Sequence, residues 1–582
     1  MTARSEPGTL VPRSVRQLVS RRVRQLVSWS LVAALVIEGA GCGRSRAGEQ
    51  RGAPGSIGTG ADAAEIAATT PPALSLALGL AADQRSLDVE IHMTGPDVSK
   101  VRALRATRGW ADVHPLAAVR DLVVRDALGP IALGPTTDEA SFSVMPLARA
   151  PAGGEITVRY SARAGAEASR LALHRGEGGV SGIGHSFVVR PAIEVELPLT
   201  VRLRGEGGSA LASSLDGRLR ATPEDLADAV FVAGAVSTDV STSGDRATIA
   251  FGPRVAARAA IEVVTRARAF AARAFGPRAA EARAPVSLFL IGERGIGKEH
   301  DGAAAGGSIA VWLDATRGLD DGAKIVLAHE ALHAVFGGTI RVDAGGHDAA
   351  WFSEGFATHY ARRALFDEGL IDADAFLADV ARLDEGRAKQ ADPSDAHAIA
   401  YALGARYAAH VDAAARSRSK GKRSLDDVVR ALGEETTRRT GAPISTAALR
   451  AVITAEVGEA DERALWLGLV AGALPELPDG AFGPCFRRTT ETRTTVDLGF
   501  DPGSLVGRLH IVRGTIEGSA AARAGVRDGA LVLESNVRPG AELSETSTVE
   551  LLLSDPRGKK RVRYRPLQKS KHSVFKPRPC QR

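Results

Sequence analysis

Cysteine is scarce in this sequence, and so is net charge. Only three cysteines occur among 582 residues, so beyond Cys42 at most one disulfide can form, between Cys485 and Cys580. Residues 1–41 contain six arginines and two glutamates, and the rest of the chain carries 68 basic side chains against 66 acidic ones. This near balance gives no electrostatic basis for binding nucleic acid, which is therefore not expected as a partner.

The leader also lacks an apolar run long enough to span a membrane. A basic region from Arg13 to Arg24 precedes only seven apolar residues, Leu31–Ile37. A permanent spanning helix needs about 20 such residues, so residues 1–41 are predicted to be an export signal. The protein is therefore expected to be exported to the cell envelope and to face the periplasm or the exterior.

The small residues Gly39, Ala40 and Gly41 precede Cys42. This segment resembles a bacterial lipoprotein cleavage box, in which Cys42 would become the lipidated first residue. Plain signal cleavage is the alternative, because Gly39 stands where that box usually has leucine. If Cys42 is lipidated, the lipid is the only membrane contact that we expect.

The chain is too long for one domain, and its pattern changes several times. Short runs with period two, such as Leu87–His92 and Glu155–Tyr160, predict an antiparallel β domain, and later segments are mainly helical. The predicted fold is a multidomain α+β protein. Its parts are a signal segment (1–41), a flexible linker (42–72), an N-terminal β domain (73–205), a mainly helical catalytic domain (206–478) and a C-terminal β domain (484–582).

The most informative motif is His-Glu-Ala-Leu-His at residues 329–333. On a helix, residues i and i+4 share a face, so His329 and His333 can bind one metal ion. Asp320 and Asp321 precede this helix and can supply an aspartate cap, and glycines follow its end. Glu330 lies between the two histidines and suits a base that acts on metal-bound water.

A third ligand is predicted from the segment Trp351–Ala357, which contains Glu354. Two imidazoles and one carboxylate leave one coordination position of zinc open for water, which is typical of a catalytic zinc site. The sequence therefore predicts one zinc ion bound by His329, His333 and Glu354.

Several segments together resemble the glycyl aminopeptidase family of gluzincin zinc peptidases. They are Trp351–Tyr360, Glu368–Ile371, Tyr401–Ala405, which is similar to the family's Tyr-x-Lys-Gly-Ala, and Gly421–Val428, which nearly matches Gly-Lys-x-Ser-Leu-Asp-Asp-Val. The resemblance implies a thermolysin-like catalytic domain that hydrolyses peptide bonds. It also implies that Tyr401 hydrogen-bonds to the oxyanion of the tetrahedral intermediate.

The sequence departs from this family at two places. Leu403 stands where the family usually has lysine. The family also carries a Gly-Gly-x-Glu segment on the strand before the zinc helix, and its carboxylate receives the substrate's amino group. The corresponding stretch here, taken as Gly306–Val311, has no acid, so aminopeptidase specificity is left open. The strand Ser308–Leu313 is predicted to bind the substrate backbone.

The C-terminal domain resembles a PDZ domain, which is also the last domain of that family. In this resemblance Leu498, Gly499 and Phe500 form the loop that binds the carboxylate of a protein C-terminus. Cys485 and Cys580 bracket the domain, and in an oxidising compartment they would form a disulfide, with two buried thiols as the alternative.

These observations predict an exported zinc peptidase whose substrates are peptides or proteins and whose general base is Glu330. The alternative is an envelope protein of little or no catalytic activity that binds peptides through its PDZ-like domain. The missing amine-binding acid motivates the alternative. The intact metal motif favours the enzyme.

Overall fold

The computed structural model describes residues 71–580, apart from residues 84, 109–114, 140, 166–169, 206–209, 242–243, 277–284, 297–299, 344–348, 390–398, 507–509 and 539–542. The predicted signal segment, Cys42 and nearly all of the predicted linker lie outside the described residues. The chain divides into two compact units at Leu477–Pro478, and each unit is described by itself.

The first unit begins with a region of β-strands. Its strands are β1 (Ala73–Leu80), β2 (Ser86–Thr94), β3 (Ala103–Thr107), β4 (Val119–Asp126), β5 (Gly129–Pro130), β6 (Thr137–Asp138), β7 (Phe142–Pro146), β8 (Glu155–Arg163), β9 (His174–Gly176), β10 (Gly179–Ile183), β11 (Val189–Pro191), β12 (Leu197–Arg204), β13 (Ala210–Ser213), β14 (Arg220–Ala221) and β15 (Val230–Gly234). Two short helices interrupt them, α1 (Pro115–Ala118) and α2 (Pro223–Ala227).

These strands form a seven-stranded sheet, in the order β14-β12-β1-β2-β8-β4-β5, and two four-stranded sheets, β13-β15-β10-β9 and β11-β3-β7-β6. Every second residue of β1 is buried, which is the period-two pattern of a strand with one face on a core. The prediction of an N-terminal β domain is thus confirmed. The pairing is antiparallel except between β1 and β12.

The β region continues past residue 205, where the sequence placed its end. Strand β15 pairs with both β10 and β13, so residues up to Gly234 belong to the N-terminal sheets. The boundary was placed too early because the segment after 205 has short, weakly alternating strands. Their partners are distant in sequence.

The rest of the first unit, where the sequence predicts the catalytic domain, is built on a five-stranded mixed sheet with helices packed around it. Its strands are β16 (Val236–Val240), β17 (Arg246–Ala250), β18 (Ser287–Glu293), β19 (Asp301–Ala305) and β20 (Ser308–Asp314), in the spatial order β16-β17-β18-β20-β19. A small two-stranded sheet joins β21 (Val342–Asp343) to β22 (Ile444–Ser445).

Helices dominate the rest of this unit. They are α3 (Ala257–Phe275), α4 (Asp321–Leu332), α5 (Ala350–Asp367), α6 (Ala373–Lys389), a π-helical turn (Ile399–Leu403), α7 (Gly404–Arg418), α8 (Leu425–Arg438), α9 (Thr446–Val457) and α10 (Glu459–Val470). None of the described helices combines the length and the apolar composition that a membrane span requires.

Helix α5 lies in the middle of this helical region. Its Phe352, Phe356 and Tyr360 follow one another at helical spacing, and all three rings contact Phe336, with centroids 5.4–5.9 Å apart. On another face, the Tyr360 hydroxyl donates to Asp426 of α8 (2.8 Å), which also accepts two hydrogen bonds from Arg363 (2.6 and 2.8 Å). These contacts fix α5 on both sides.

The second unit contains β23 (Phe486–Val496), α11 (Ala520–Ala524), β24 (Leu531–Ser535), β25 (Val549–Asp555), β26 (Gly558–Tyr564) and β27 (Leu567–Pro577). Strands β24-β25-β26 form one antiparallel sheet, and β23 pairs with β27 along eleven residues of each. Cys485 and Cys580 form a disulfide at the end of that pair, so the structure has the bridge rather than two free thiols.

Acid is expected to destabilise the first unit through a histidine of α5. His359 is 3% exposed, and its Nε2 has no hydrogen-bond partner among the described residues. Burial holds its pKa well below the usual value, and Arg362, Arg363 and Arg416 act in the same direction. Because the unfolded chain takes up a proton at this histidine below about pH 6.5, the free energy of unfolding falls as pH drops below that value, by at most about 1.4 kcal/mol per pH unit.

The measurement is urea unfolding at pH 7 and pH 5 in the presence of a metal chelator. We expect His359→Gln to lose less stability between these two pH values than the wild type. His92→Gln serves as the control, because it makes the same substitution at a partly exposed histidine on strand β2. An equal loss in all three proteins would contradict the assignment to His359.

Candidate active site

The three predicted metal ligands converge. The Nε2 atoms of His329 and His333 lie 3.0 Å apart, and they lie 3.1 and 3.3 Å from Oε2 of Glu354. Two ligands on a tetrahedral zinc ion with bonds near 2.0–2.1 Å are separated by about 3.3 Å, so the three atoms fit around a single ion of this size. Sequence reasoning placed them correctly because both histidines belong to helix α4, or to its C-cap, at i and i+4.

The other nitrogen of each imidazole is already hydrogen-bonded. Nδ1 of His333 donates to the Phe336 carbonyl (3.1 Å), and Nδ1 of His329 lies 3.2 Å from Oγ1 of Thr358. A proton on each Nδ1 leaves the Nε2 lone pairs free to bind a metal ion between the three ligands. Hydrogen bonds of this kind orient metal-binding histidines in other proteins. The donor set is that of a zinc site with three protein ligands.

The charges at the centre support a bound cation. Burial opposes ionisation of Glu354, but His333 and His329 outweigh it and hold the pKa of this carboxyl well below its usual range. Burial also opposes the charged form of His333, yet Glu354 and Glu330 raise its pKa to about 10. Two buried carboxylates therefore attract positive charge to this place, either protons or a metal ion.

A second group of potential ligands lies in the N-terminal sheets and does not fit a cation. It consists of His185, Glu224 and Asp228. Glu224 accepts hydrogen bonds from the guanidinium groups of Arg105 and Arg190. Because both arginines already neutralise this carboxylate, the group is a buried ion-pair network.

Glu330 lies beside strand β19. Its carboxylate accepts a hydrogen bond from the Ala304 amide, and a β-carbon added to Gly302 would lie 2.7 Å from Oε1 of Glu330. Only glycine lets the strand approach the acid so closely. Burial raises the pKa of Glu330, which suits a residue that takes up a proton during a reaction.

The strand next to Glu330 is not the one that the sequence indicated. Strand β20, which contains the predicted substrate strand Ser308–Leu313, lies between β18 and β19, and both neighbours pair with it. It has no free edge for a peptide, so that prediction is wrong. Gly306 and Gly307 form the turn between β19 and β20, with positive φ of 54° and 80°. The edge strand on the side of Glu330 is β19.

The π-helical turn places Tyr401 next to the ligands. Its ring stacks on His329, with centroids 5.6 Å apart and an interplanar angle of 21°. Its hydroxyl hydrogen-bonds to Glu354. Burial raises the pKa of Tyr401 well above its usual value, and Glu354 and Glu330 add to the effect, so the phenol remains a hydrogen-bond donor at neutral pH.

A pair of glycines sets the distance between Tyr401 and Glu354. Gly355, the residue after the ligand, packs against Gly404 at the start of α7, and a β-carbon on Gly404 would lie 2.1 Å from the Trp351 carbonyl oxygen. Any larger residue at either position would push α5 and the π-turn apart. Tyr401 and Glu354 sit directly beside this contact.

Sequence reasoning missed two residues of the site. Thr358 lies four residues after Glu354, so helical spacing could have placed it next to the ligands. Asp301 is the first residue of β19 and contributes to the raised pKa of Tyr401. No sequence signal indicated Asp301, because its place depends on the order of strands in the sheet.

The predicted peptide-binding loop belongs to the second unit. The side chains of Leu498 and Phe500 are buried in its core, and Gly499 has φ of 83°. The Gly499 amide donates to Oδ1 of Asp497 (2.7 Å), and the Leu498 carbonyl accepts from the Tyr564 hydroxyl (2.7 Å). The Gly499 amide, which the PDZ resemblance assigns to a peptide carboxylate, thus already binds the carboxylate of Asp497. Peptide binding by this loop stays a prediction.

The chain matches no protein-family model and no curated protein. Its structure is similar to that of an aminopeptidase N family protein from Idiomarina loihiensis, with a TM-score of 0.60 and 13% identity over 87% of this chain and 98% of that one. At this identity the likeness shows the fold alone: the chain folds like that aminopeptidase N family protein.

Two other solved structures resemble the chain less closely. An M1 zinc metallopeptidase from Deinococcus radiodurans has a TM-score of 0.43 and 18% identity, over 70% of this chain and 95% of that one. Legionella pneumophila aminopeptidase A, solved in complex with aspartic acid, has a TM-score of 0.39 and 12% identity, over 86% of this chain and 56% of that one. Both scores are below 0.5, so the fold assignment rests on the first structure.

Thr358→Val is expected to weaken zinc binding by about tenfold to a hundredfold, the usual effect of losing a second-sphere partner. Valine has nearly the shape of threonine but cannot hydrogen-bond to Nδ1 of His329. Competition with a chromogenic chelator measures the affinity. Thr248→Val, on strand β17 away from the ligands, is the matched control. Equal zinc affinities in the wild type and Thr358→Val would show that Thr358 does not orient His329.

Proposed function

We propose that this protein is a zinc-dependent peptidase. The observation that carries the proposal is the convergence of three ligand atoms, 3.0–3.3 Å apart, with Glu330 next to them on helix α4. Zinc bound by His329, His333 and Glu354 would lower the pKa of a bound water and polarise a peptide carbonyl. The aminopeptidase N fold supports this proposal.

The chain's own residues supply proton transfer and charge stabilisation. The carboxylate of Glu330 accepts the proton of the attacking water and can return it to the leaving amine nitrogen. The hydroxyl of Tyr401, which now bonds to Glu354, donates to the oxygen on which negative charge develops. Glu330 is buried next to the ligands on the same helix, and the Tyr401 hydroxyl already contacts the ligand Glu354, so little reorganisation is needed.

The substrate backbone is proposed to bind along strand β19. This strand is at the edge of its sheet, and β20 is its one partner there among the described residues. The Ala304 amide bonds to Glu330, so the base lies close to that edge. An extended peptide can add to such an edge through main-chain hydrogen bonds.

We further propose aminopeptidase-like action with Asp301 as the partner of the substrate's ammonium group. Asp301 is 45% exposed and begins β19. Arg170 bonds to its Oδ2, and Oδ1 has no hydrogen-bond partner among the described residues. A carboxylate that keeps one free oxygen can accept a hydrogen bond from an ammonium group.

Export and lipid anchoring at Cys42 remain proposals supported by the leader sequence. Peptide capture by the C-terminal unit is likewise a proposal that rests on the Leu498–Phe500 segment. The bond between Asp497 and the Gly499 amide weakens it, because a peptide carboxylate would have to displace Asp497.

The proposed chemistry predicts that Glu330→Gln retains zinc but loses at least about a hundredfold in turnover, the usual effect of removing a general base. Glutamine keeps the shape of glutamate but cannot accept the proton. Zinc content and cleavage of a peptide library are measured on the same preparations, with Glu434→Gln on the exposed surface of α8 as the control. Unchanged turnover would reject this mechanism. Capture of peptide C-termini without cleavage by the zinc-loaded wild type would favour a binding protein.

Asp301 predicts a preference for free amino termini. We expect N-acetylation of a peptide to lower kcat/KM by at least about tenfold in the wild type, because a charged hydrogen bond is worth about 1.5–3 kcal/mol. Asp301→Asn should reduce that difference. Asp239→Asn, on β16 at the opposite edge of the sheet, should keep it. Mass spectrometry identifies the products. If the wild type cleaves acetylated peptides internally, as fast as it cleaves free ones, the enzyme acts as an endopeptidase.

A further inference from the structure

The two faces of strand β19 contact different parts of the first unit. Its residues alternate, as a strand requires: Gly302 and Ala304 approach Glu330, whereas Ala303 and Ala305 are buried in another cluster. That cluster is formed with residues of the N-terminal strands β10, β13 and β15. They are Ile183, Ala212, Val230 and Val232. The N-terminal β region is therefore the support on which the edge strand lies.

The N-terminal region also contacts both ends of β19. At the start, Arg170 forms an ion pair with Asp301. At the end, a β-carbon added to Gly306 would lie 3.0 Å from the Asp228 carbonyl oxygen, so the turn after β19 abuts the residue that ends α2. In the next strand, the Trp312 indole donates to Ser181 of β10 (3.3 Å).

Two side-chain contacts hold the start of the strand: Arg170 binds Asp301, and His300, the preceding residue, lies 2.9 Å from Oδ1 of Asp320. β19 has five residues and lies at the edge of the sheet, where backbone pairing constrains one side alone. The side chains of Arg170 and Asp301 are 25% and 45% exposed, so a contribution below about 1 kcal/mol is expected from the pair.

We propose that Arg170 is a positioning residue: by holding Asp301, it fixes the start of β19 and with it the edge on which the peptide substrate binds. The inference rests on the proposed function, because it takes β19 as the substrate-binding strand. Arg170 itself is assigned no contact with the substrate. Its effect passes through Asp301 and the backbone of β19.

Hydrogen exchange tests the structural half of the proposal without any need for activity. In the full chain, Arg170→Met should make the backbone amides of residues 302–305 exchange about three- to fivefold faster, as loss of a contact worth up to about 1 kcal/mol implies. Arg170→Lys keeps the charge and should largely restore protection. Mass spectrometry of the peptic fragment that contains β19 measures the rate.

A second ion pair between the same two regions provides the matched control. Arg294, which follows β18, contacts Glu177 at 3.0 Å, and both side chains are about 70% exposed. Arg294→Met removes a charge and an ion pair of the same kind but at a place away from β19. It should leave exchange at residues 302–305 unchanged.

Kinetics test the functional half. Arg170→Met should raise KM for peptides about three- to fivefold and leave kcat nearly unchanged, because edge pairing stabilises bound substrate and transition state alike. Arg294→Met should change neither. A merely destabilised protein would lose active molecules and therefore lower the apparent kcat instead.

The possible failures can be told apart. Unchanged exchange at residues 302–305 in Arg170→Met overturns the positioning role, whatever the activity. Faster exchange with an unchanged KM overturns the link between β19 and the substrate. If the wild type cleaves no peptide, the proposed function fails, and faster exchange in Arg170→Met would then support the structural half alone.

Discussion

The proposed active site depends on one constraint, which is that two helices keep three ligand atoms within 3.3 Å of one another. Helix α4 supplies two imidazole nitrogens, and α5 supplies a carboxylate oxygen. All three groups are largely buried, so they have lost much of their hydration, and their mutual contacts alone do not repay that loss. The helices must be held by packing elsewhere, and a cation at the centre would add to their stability.

That packing is concentrated on α5. The apolar stripe of Phe352, Phe356 and Tyr360 surrounds Phe336, which follows the last ligand of α4, so the same contact joins both ligand-bearing helices. On the far side, Asp426 binds Arg363 and Tyr360. Breaking this pair would leave a partly buried charge without its partner, which would destabilise the contact between α5 and α8. The ligand geometry is therefore a consequence of the hydrophobic and ionic contacts of one helix.

The sequence predicted those features that depend on local spacing. The i, i+4 relation indicated His329 and His333, an aspartate cap was expected before α4 and is Asp320, and alternation indicated the strands of the N-terminal region. Features that depend on strand order were not accessible. The edge position of β19, the place of Asp301 and the extension of the N-terminal sheets to Gly234 all arise from pairing between distant segments, which no local pattern records.

The segment Gly421–Val428, which the sequence offered as a family mark, shows how a motif can matter without taking part in chemistry. Ser424 and Asp427 form a capping box that begins α8, so they fix where this helix starts. Asp426, in the first turn, is then presented to α5, where it accepts hydrogen bonds from Tyr360 and Arg363. The motif thus positions α5, and through α5 it positions Glu354. The motif therefore bears on the shape of the site, whereas the proposed chemistry rests on His329, Glu330, His333 and Glu354.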